Sequence, residues 1–433
     1  METKPDSLFQ SIKIVVSIRI CLDKYTITIK ILLVEMGTNK KILLVNNSTE
    51  NVFKIDSGGG LRSNLFIKAL SEIGHVDIIC FSKNDLVSNI PNCNIIFSQA
   101  IWDNKKYWEV LRTLFCMTIR PSNPYSYYQK NKQKASIING FVNQTEYDYI
   151  ACRYVQTAII CGLLRYKDRL IIDADDNLAV IKKFRALEAS SFFNKWKKQY
   201  ESVRIEKMLK KLFSNIYCSF CANPLELPSP QTTVLHNTTV LDEPTSDLPD
   251  DFTPRILFIG TLRYFPNNHG ITHFVESIFP QIKKSIPSAE LQIVGYGDAD
   301  FLAYLNEKEG VRAVGKVDDL VSEYQKATVV IIPIYYGSGT CVKFVEALLM
   351  NRPVVSTPVG ARGFSEVCQD GKDYMLANND EEFISKTIEL LTSLPKSREM
   401  AKRGYEIGEK MFSQRKFCEI VKNAILKLDE HLD

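Results

Sequence analysis

Net charge is almost absent from this 433-residue chain: 54 basic residues stand against 50 acidic ones, for a formal charge of +4. So small an excess does not support a general nucleic-acid binder, and no nucleic-acid partner is expected. Internal repeats and low-complexity blocks are also missing. Apolar residues at 45% and charged residues at 24% describe instead a globular chain able to bury a large core. The length alone gives two or three domains. The first 35 residues lack an apolar run near the ~18 a membrane helix needs. Ile12 to Ile20 is broken by Lys13 and Arg19, and Ile27 to Val34 by Lys30. No small-residue cleavage site follows, so no signal peptide is indicated. Met36-Gly-Thr-Asn-Lys-Lys-Ile42 reads as a normal start. Residues 1–35 are therefore expected to be a non-native or disordered extension.

Metal-ligand sets are equally scarce. Cys218 and Cys221 form a lone C-x-x-C, and no second pair follows to complete a zinc site. His269 and His273 lie four apart with no third ligand nearby. No metal and no bound cofactor are expected. Eleven cysteines, an odd number, fit a reducing compartment in which most are small buried hydrophobes. The expected location is cytoplasmic. Asn143-Gln144-Thr145 matches a glycosylation acceptor by chance in such a setting. The spaced G-x-G-x-x-G fingerprint is missing as well, which disfavours NAD.

Strands alternate with helical patterns in both halves, which predicts parallel α/β sheets. In the first half, Ile42–Val45, Val76–Phe81, Tyr149–Cys152 and Leu170–Ile172 read as strands and Asn64–Ile73 as a helix. Prolines at 224, 228, 230, 244, 249 and 254 then punctuate a polar stretch, where a linker is expected. In the second half, Ile256–Ile259, Leu291–Val294, Val311–Val314, Val329–Pro333 and Val354–Ser356 read as strands. Helices are expected over Ile271–Ile286, Leu320–Lys326 and Cys341–Met350. The domains expected are 36–238 and 239–405, both Rossmann-like. A last helical segment, 406–433, is expected to pack back on the first domain. Two such lobes leave a cleft between the carboxyl ends of their strands, where open α/β sheets bind ligands.

The most informative segment runs from Pro333 through Ile-Tyr-Tyr-Gly-Ser-Gly-Thr-Cys-Val-Lys-Phe-Val-Glu to Ala347. It passes from a buried strand through a glycine turn into a helix. Gly337 and Gly339 permit positive φ and close backbone approach. Amides at Gly339, Thr340 and Cys341 would then point at an anion, helped by the helix dipole. Lys343 and Glu346 are three apart on one face. Cation and carboxylate at that spacing suit a diphosphate at the helix start and a ribose one turn later. An ordinary strand–turn–helix with a surface ion pair has the same spacing, so spacing alone leaves both readings open.

Residues 255–391 resemble the donor domain of retaining glycosyltransferases of family 4, which have the GT-B fold. Six pieces occur in the family's order. They are Ile256-Leu-Phe-Ile-Gly-Thr-Leu262, Leu291-Gln-Ile-Val-Gly-Tyr-Gly297 and Val311-Arg-Ala-Val-Gly-Lys-Val317, then Gly337-Ser-Gly-Thr340 with Glu346-Ala347, Pro353-Val-Val-Ser-Thr-Pro-Val-Gly360 and Glu366-Val-Cys-Gln-Asp-Gly371. In the first half the resemblance is fainter. It rests on the opening strand, Gly58-Gly59-Gly60, Ile171-Ile-Asp-Ala-Asp-Asp176 and Val234-Leu-His-Asn237.

The resemblance implies a GT-B, two-domain enzyme that moves a sugar from a nucleotide diphosphate sugar, with retention and without a metal. Its acceptor would be a hydroxyl of a glycan or lipid-linked saccharide. Donor contacts are expected from Gly260, Gly315, Val317, Ser338, Gly339, Thr340, Cys341 and Glu346. Glu346 matches the family glutamate that contacts the ribose. The other family glutamate, eight residues earlier, is Ser338 here, a shorter neutral group. The family's Arg and Lys after the first donor-domain strand correspond to Thr261 and Asn267; Arg263 lies between them. Arg263 and Lys343 are expected to stabilise the leaving diphosphate. Alternatives are a nucleotide-sugar 2-epimerase on this fold and a non-catalytic nucleotide-sugar or glycan binding module, the latter prompted by Ser338.

In the first domain, Gly58, Gly59, Gly60 and Arg62 are expected to meet acceptor or donor phosphate. Asp175 and Asp176 are expected in the cleft, with capping, acceptor contact and metal binding all open for the Asp173–Asp176 cluster. His236 reads as a hinge residue rather than a base. Basic and aromatic residues alternate over 104–134, which is compatible with peripheral contact at an anionic membrane, at its inner face.

Overall fold

In a computed structural model of the chain, the described residues are 14–16, 31–33, 40–48, 53, 58–82, 88–102, 115–187, 191–241, 248, 253–337 and 339–429. Two short strands, β1 (Ile14–Val16) and β2 (Ile31–Leu33), pair antiparallel. The rest of the expectation for residues 1–35 falls outside the described residues.

The first lobe is built on seven parallel strands: β3 (Lys40–Asn46), β4 (Gly74–Cys80), β5 (Cys93–Ser98), β6 (Tyr149–Arg153), β7 (Leu170–Asp173), β8 (Cys218–Cys221) and β9 (Thr233–Val234). Their order is β5-β4-β3-β6-β7-β8-β9. Along β3, Leu43 and Val45 enter one core and Ile42 and Leu44 the other, because successive side chains alternate across a sheet covered on both faces. Three strands were not expected. Cys218-Ser-Phe-Cys221 is a fully buried strand, and period-2 geometry sends its two thiols to opposite faces. Thr233–Val234 pairs at the edge of this sheet, so the first part of the proline-rich stretch belongs to the lobe.

The second lobe has six parallel strands: β10 (Arg255–Ile259), β11 (Glu290–Val294), β12 (Val311–Gly315), β13 (Val329–Ile332), β14 (Val354–Ser356) and β15 (Met375–Leu376). Their order, β12-β11-β10-β13-β14-β15, repeats the first lobe's. The helix expected from Ile271 begins at Phe265, with Pro266 in its first turn, where a missing N–H costs nothing. A single π turn, Phe274–Ile278, interrupts it just before Pro280. That proline cannot donate to the carbonyl four residues back, and the wider turn accommodates it.

Helix Gln414–Asp429 packs on the first lobe. Phe417, Cys418, Val421 and Ile425 make one apolar stripe, and they share a core with Leu65 and Phe66 of helix Gly58–Ile73. The α/β architecture is thus two Rossmann-like lobes facing across a cleft. Among the described residues, no helix is long and apolar enough to cross a membrane.

Candidate functional site

In each sheet the strand order reverses next to its first strand, and α/β folds bind ligands at that point, beyond the carboxyl ends. In the second lobe the point lies between β10 and β13. A cavity of about 930 Å³ opens there, walled on its far side by Gly58, Leu61, Thr239 and Val240. Gly260, Val317, Gly339, Thr340, Cys341, Lys343 and Glu346 all line it, as do Thr261, Asn267, Tyr264, Tyr296 and Tyr336.

The turn after β13 reverses through Gly337 (φ 135°) and Gly339 (φ 78°). Helix Val342–Leu349 follows. Cys341 is its N-cap and makes no side-chain capping bond; the Phe344 amide donates to the Cys341 carbonyl at 2.9 Å, which leaves the Val342 and Lys343 amides to a ligand or water. Lys343 Nζ donates to Asn267 Oδ1 at 2.8 Å and lies 4.3 Å from the Phe258 ring centre. Burial pulls its ammonium down to about 8. Gly260 lies beneath it: a Cβ there would stand 2.7 Å from Nζ and 2.8 Å from Asn267 Nδ2, so these side-chain ends would have to shift. Glu346 Oε2 accepts from the Tyr324 hydroxyl at 3.1 Å, and burial raises its carboxyl above the ordinary range. Tyr324 is itself fixed: the buried Arg352 donates to the carbonyls of Tyr324 (2.7 Å) and Gln325 (3.1 Å) at the end of helix Leu320–Lys326.

The lobes meet at Gly339. Asn223 Nδ2 donates to its carbonyl at 3.2 Å, and Asn237 Nδ2 donates to Thr340 Oγ1 at 3.0 Å. The Gly339 amide faces the Glu226 carboxylate rather than the cavity, and Glu226 also pairs with Arg362. Asp176 presses on Gly339 so closely that a Cβ would lie 2.6 Å from its Oδ1. That oxygen is buried without a hydrogen-bond partner. Burial, then Asp175 and Glu226, push the Asp176 carboxyl up to about 7. His236 sits between the rings of Phe364 and Phe412, and burial pushes its imidazole down to about 4. A buried ring held neutral between these two phenylalanines packs the junction of the lobes.

Several expected site residues stand elsewhere. Arg263 does not line the cavity: it is 53% exposed, bound to Asp298 at 2.7 Å and stacked on Tyr296 at 4.5 Å. Gly315 does not line the cavity either; its carbonyl accepts from the Gly295 amide at 2.7 Å. Gly58, Gly59 and Gly60 open helix Gly58–Ile73, and of the three only Gly58 reaches the cavity. Arg62 is buried and saturated. It binds Asp173 through two nitrogens at 2.8 and 2.7 Å, the Leu235 carbonyl at 2.9 Å and Asn237 at 2.8 Å. Asp175 is taken by Arg153 at 2.5 Å. These two are struts of the first lobe, not acceptor contacts. Ser338 lies outside the described residues. In the 104–134 segment, residues 104–114 are outside them too, while Tyr127 and Lys134 are buried and cannot face a membrane.

Sequence reasoning passed over Tyr324, Arg352, Glu226 and Asn223. Each acts through a long-range contact that no local spacing encodes. Asn267 was visible only as a family lysine replaced.

Comparison with known proteins follows the same outline. Residues 253–393 match the family model described as glycosyl transferases group 1. Over 407 residues the chain is 23% identical to an uncharacterized 44.6 kDa protein in the cps region of Klebsiella pneumoniae, spanning 88% of this chain and 99% of that one. Sucrose-phosphate synthase from Thermosynechococcus elongatus superimposes with a TM-score of 0.64 at 18% identity, covering 91% of this chain and 100% of that one. Anabaena HepE in complex with UDP gives 0.58 at 14% identity, covering 90% and 99%. The fold is GT-B. With the match over 253–393, it supports glycosyl transfer.

Proposed function

We propose that the protein is a retaining glycosyltransferase that moves a sugar from a nucleoside diphosphate sugar to a hydroxyl of a glycan or lipid-linked saccharide. One observation carries the reading. Lys343 and Glu346 stand one helical turn apart in an interlobe cavity of about 930 Å³, beside uncapped amides at the start of helix Val342–Leu349. The relative crystallised with UDP has the same fold.

The diphosphate lies at the helix start, where the dipole and the Lys343 ammonium meet its charge. A phosphate partner reverses the cost of burying that ammonium. Glu346, steadied by Tyr324, accepts from a ribose hydroxyl. In the reaction the bond from the anomeric carbon to the phosphate oxygen breaks and the bond to the acceptor oxygen forms. The acceptor proton passes to the departing phosphate on the same face, so no protein nucleophile is required. Lys343 and the amides stabilise charge that develops on the leaving group, usually the largest catalytic contribution. Arg263, paired with Asp298 outside the cavity, has no role in this step. No step calls for a metal.

Incubation with a panel of nucleotide sugars and saccharide acceptors tests the reading. Acceptor-dependent release of a nucleoside diphosphate is expected. Tight nucleotide binding without turnover would replace transfer by a binding module, and sugar epimerisation without acceptor would replace it by an epimerase.

A further inference from the structure

Helix Phe192–Phe213 has two features that its own stability does not explain. Phe192 is 86% exposed, Phe193 67% and Trp196 53%, although such rings dominate protein cores when they can. Lys195, Lys197 and Lys198 occupy its first two turns and no acid lies in the first, at the end where the helix dipole favours carboxylates. The rings form an ordered ridge. Phe193 and Trp196 have centroids 6.3 Å apart, and Trp196 stacks on Tyr200 at 5.6 Å. Their spacing of three and four residues keeps them on one face. The first acid along the helix, Glu201, is engaged by Lys182 at 2.9 Å. Lys198 donates to the Arg185 carbonyl at 2.9 Å, which leaves Lys195 and Lys197 to set the charge beside the ridge.

We propose that this end of the helix docks the protein on an anionic lipid bilayer. Phe192, Phe193 and Trp196 enter the boundary between headgroups and acyl chains, and Lys195 and Lys197 meet lipid phosphates. Charge complementarity selects this occupant. A second copy related by a twofold axis would bring the same lysines against one another, whereas a bilayer supplies anions around an apolar interior. The inference does not rest on glycosyl transfer. Lipid binding is read without nucleotide or acceptor, so either can fail while the other stands.

Co-sedimentation of the full chain with vesicles of phosphatidylcholine, with and without phosphatidylglycerol, tests it. Binding is expected only with phosphatidylglycerol, and it should weaken as salt rises. The F193S/W196S variant should lower partitioning at least about tenfold, and K195Q/K197Q by about fivefold per lysine. Both should keep the parent melting temperature, because the altered side chains lie on the surface. Undiminished vesicle binding by both variants would overturn the proposal. So would self-association of the lipid-free chain that F193S/W196S abolishes, which would assign the face to a second copy.

Discussion

The two lobes share a strand order and treat charge in opposite ways. At the carboxyl ends of the first sheet, Asp173 is fully buried and held by Arg62 at 2.7 Å and by Arg153 at 3.0 Å. Arg153 also binds Asp175, the Gly59 carbonyl and Ser63. Cations and carboxylates there satisfy one another. At the matching ends of the second sheet, Lys343 leans on a neutral amide and Glu346 on a phenol. Desolvation lowers the proton affinity of the one and raises that of the other. One topology thus makes a strut when opposite charges touch. In the function proposed above, it makes a receptor when a helical turn separates them and a cavity keeps them from full solvation.

Breaking the strut should have the largest effect. Asp173→Ala removes the carboxylate shared by two buried guanidinium groups and should cost about 3–5 kcal/mol. Urea unfolding checks it; an unchanged midpoint would show that the pairs offset only their own desolvation. The same operation on the receptor should spare stability and remove rate. Lys343→Ala should slow nucleoside diphosphate release about 10²–10³-fold with little loss of melting temperature, since a depressed ammonium opposes folding. A variant as fast as the parent would remove the lysine from the site.

The junction can sharpen the contrast through pH. Asp176 has a folded pKa of about 7, raised above its unfolded value. The native state therefore binds the extra proton. Its contribution to stability is complete below the ordinary carboxylate range and is lost as pH rises through about 7. Asp176→Asn should be more stable than the parent at pH 8, with the gap closing toward pH 4. Thermal melts across that range measure it, and a gap that widens on acidification would contradict the sign. The smallest effect belongs to Tyr324→Phe. It should weaken nucleoside diphosphate binding about fivefold, the worth of one hydrogen bond. It should leave binding of the 2′,3′-dideoxy nucleotide unchanged. Calorimetry with both ligands separates loss of Glu346 positioning from a general loosening of the pocket.

Much of the fold was legible because parallel strands buried on both faces read as short apolar runs. Ile256–Ile259 and Val329–Ile332 appear as expected. Cys93–Ser98 was missed because it lies at the sheet edge with mostly half-exposed residues. Cys218–Cys221 was missed because four residues with a serine among them make no apolar run. In the site, Lys343 and Glu346 were legible because a helix converts a spacing of three into a shared face. Arg62 and Arg263 were misplaced for one reason: an arginine reaches far, and local sequence does not say which carboxylate it meets first.

By itself the sequence determined the two-lobed α/β plan, the glycine turn after Val329–Ile332 and the cation–carboxylate pair on the helix that follows. All of these depend on neighbours within a few residues, where backbone geometry is nearly invariant. Only the tertiary structure decided which charges were consumed. Asp173 meets Arg62 across 111 residues of chain, and Asn237 meets Thr340 across 103. Such pairings follow from how two sheets and their loops pack, and packing assigns each buried charge its partner.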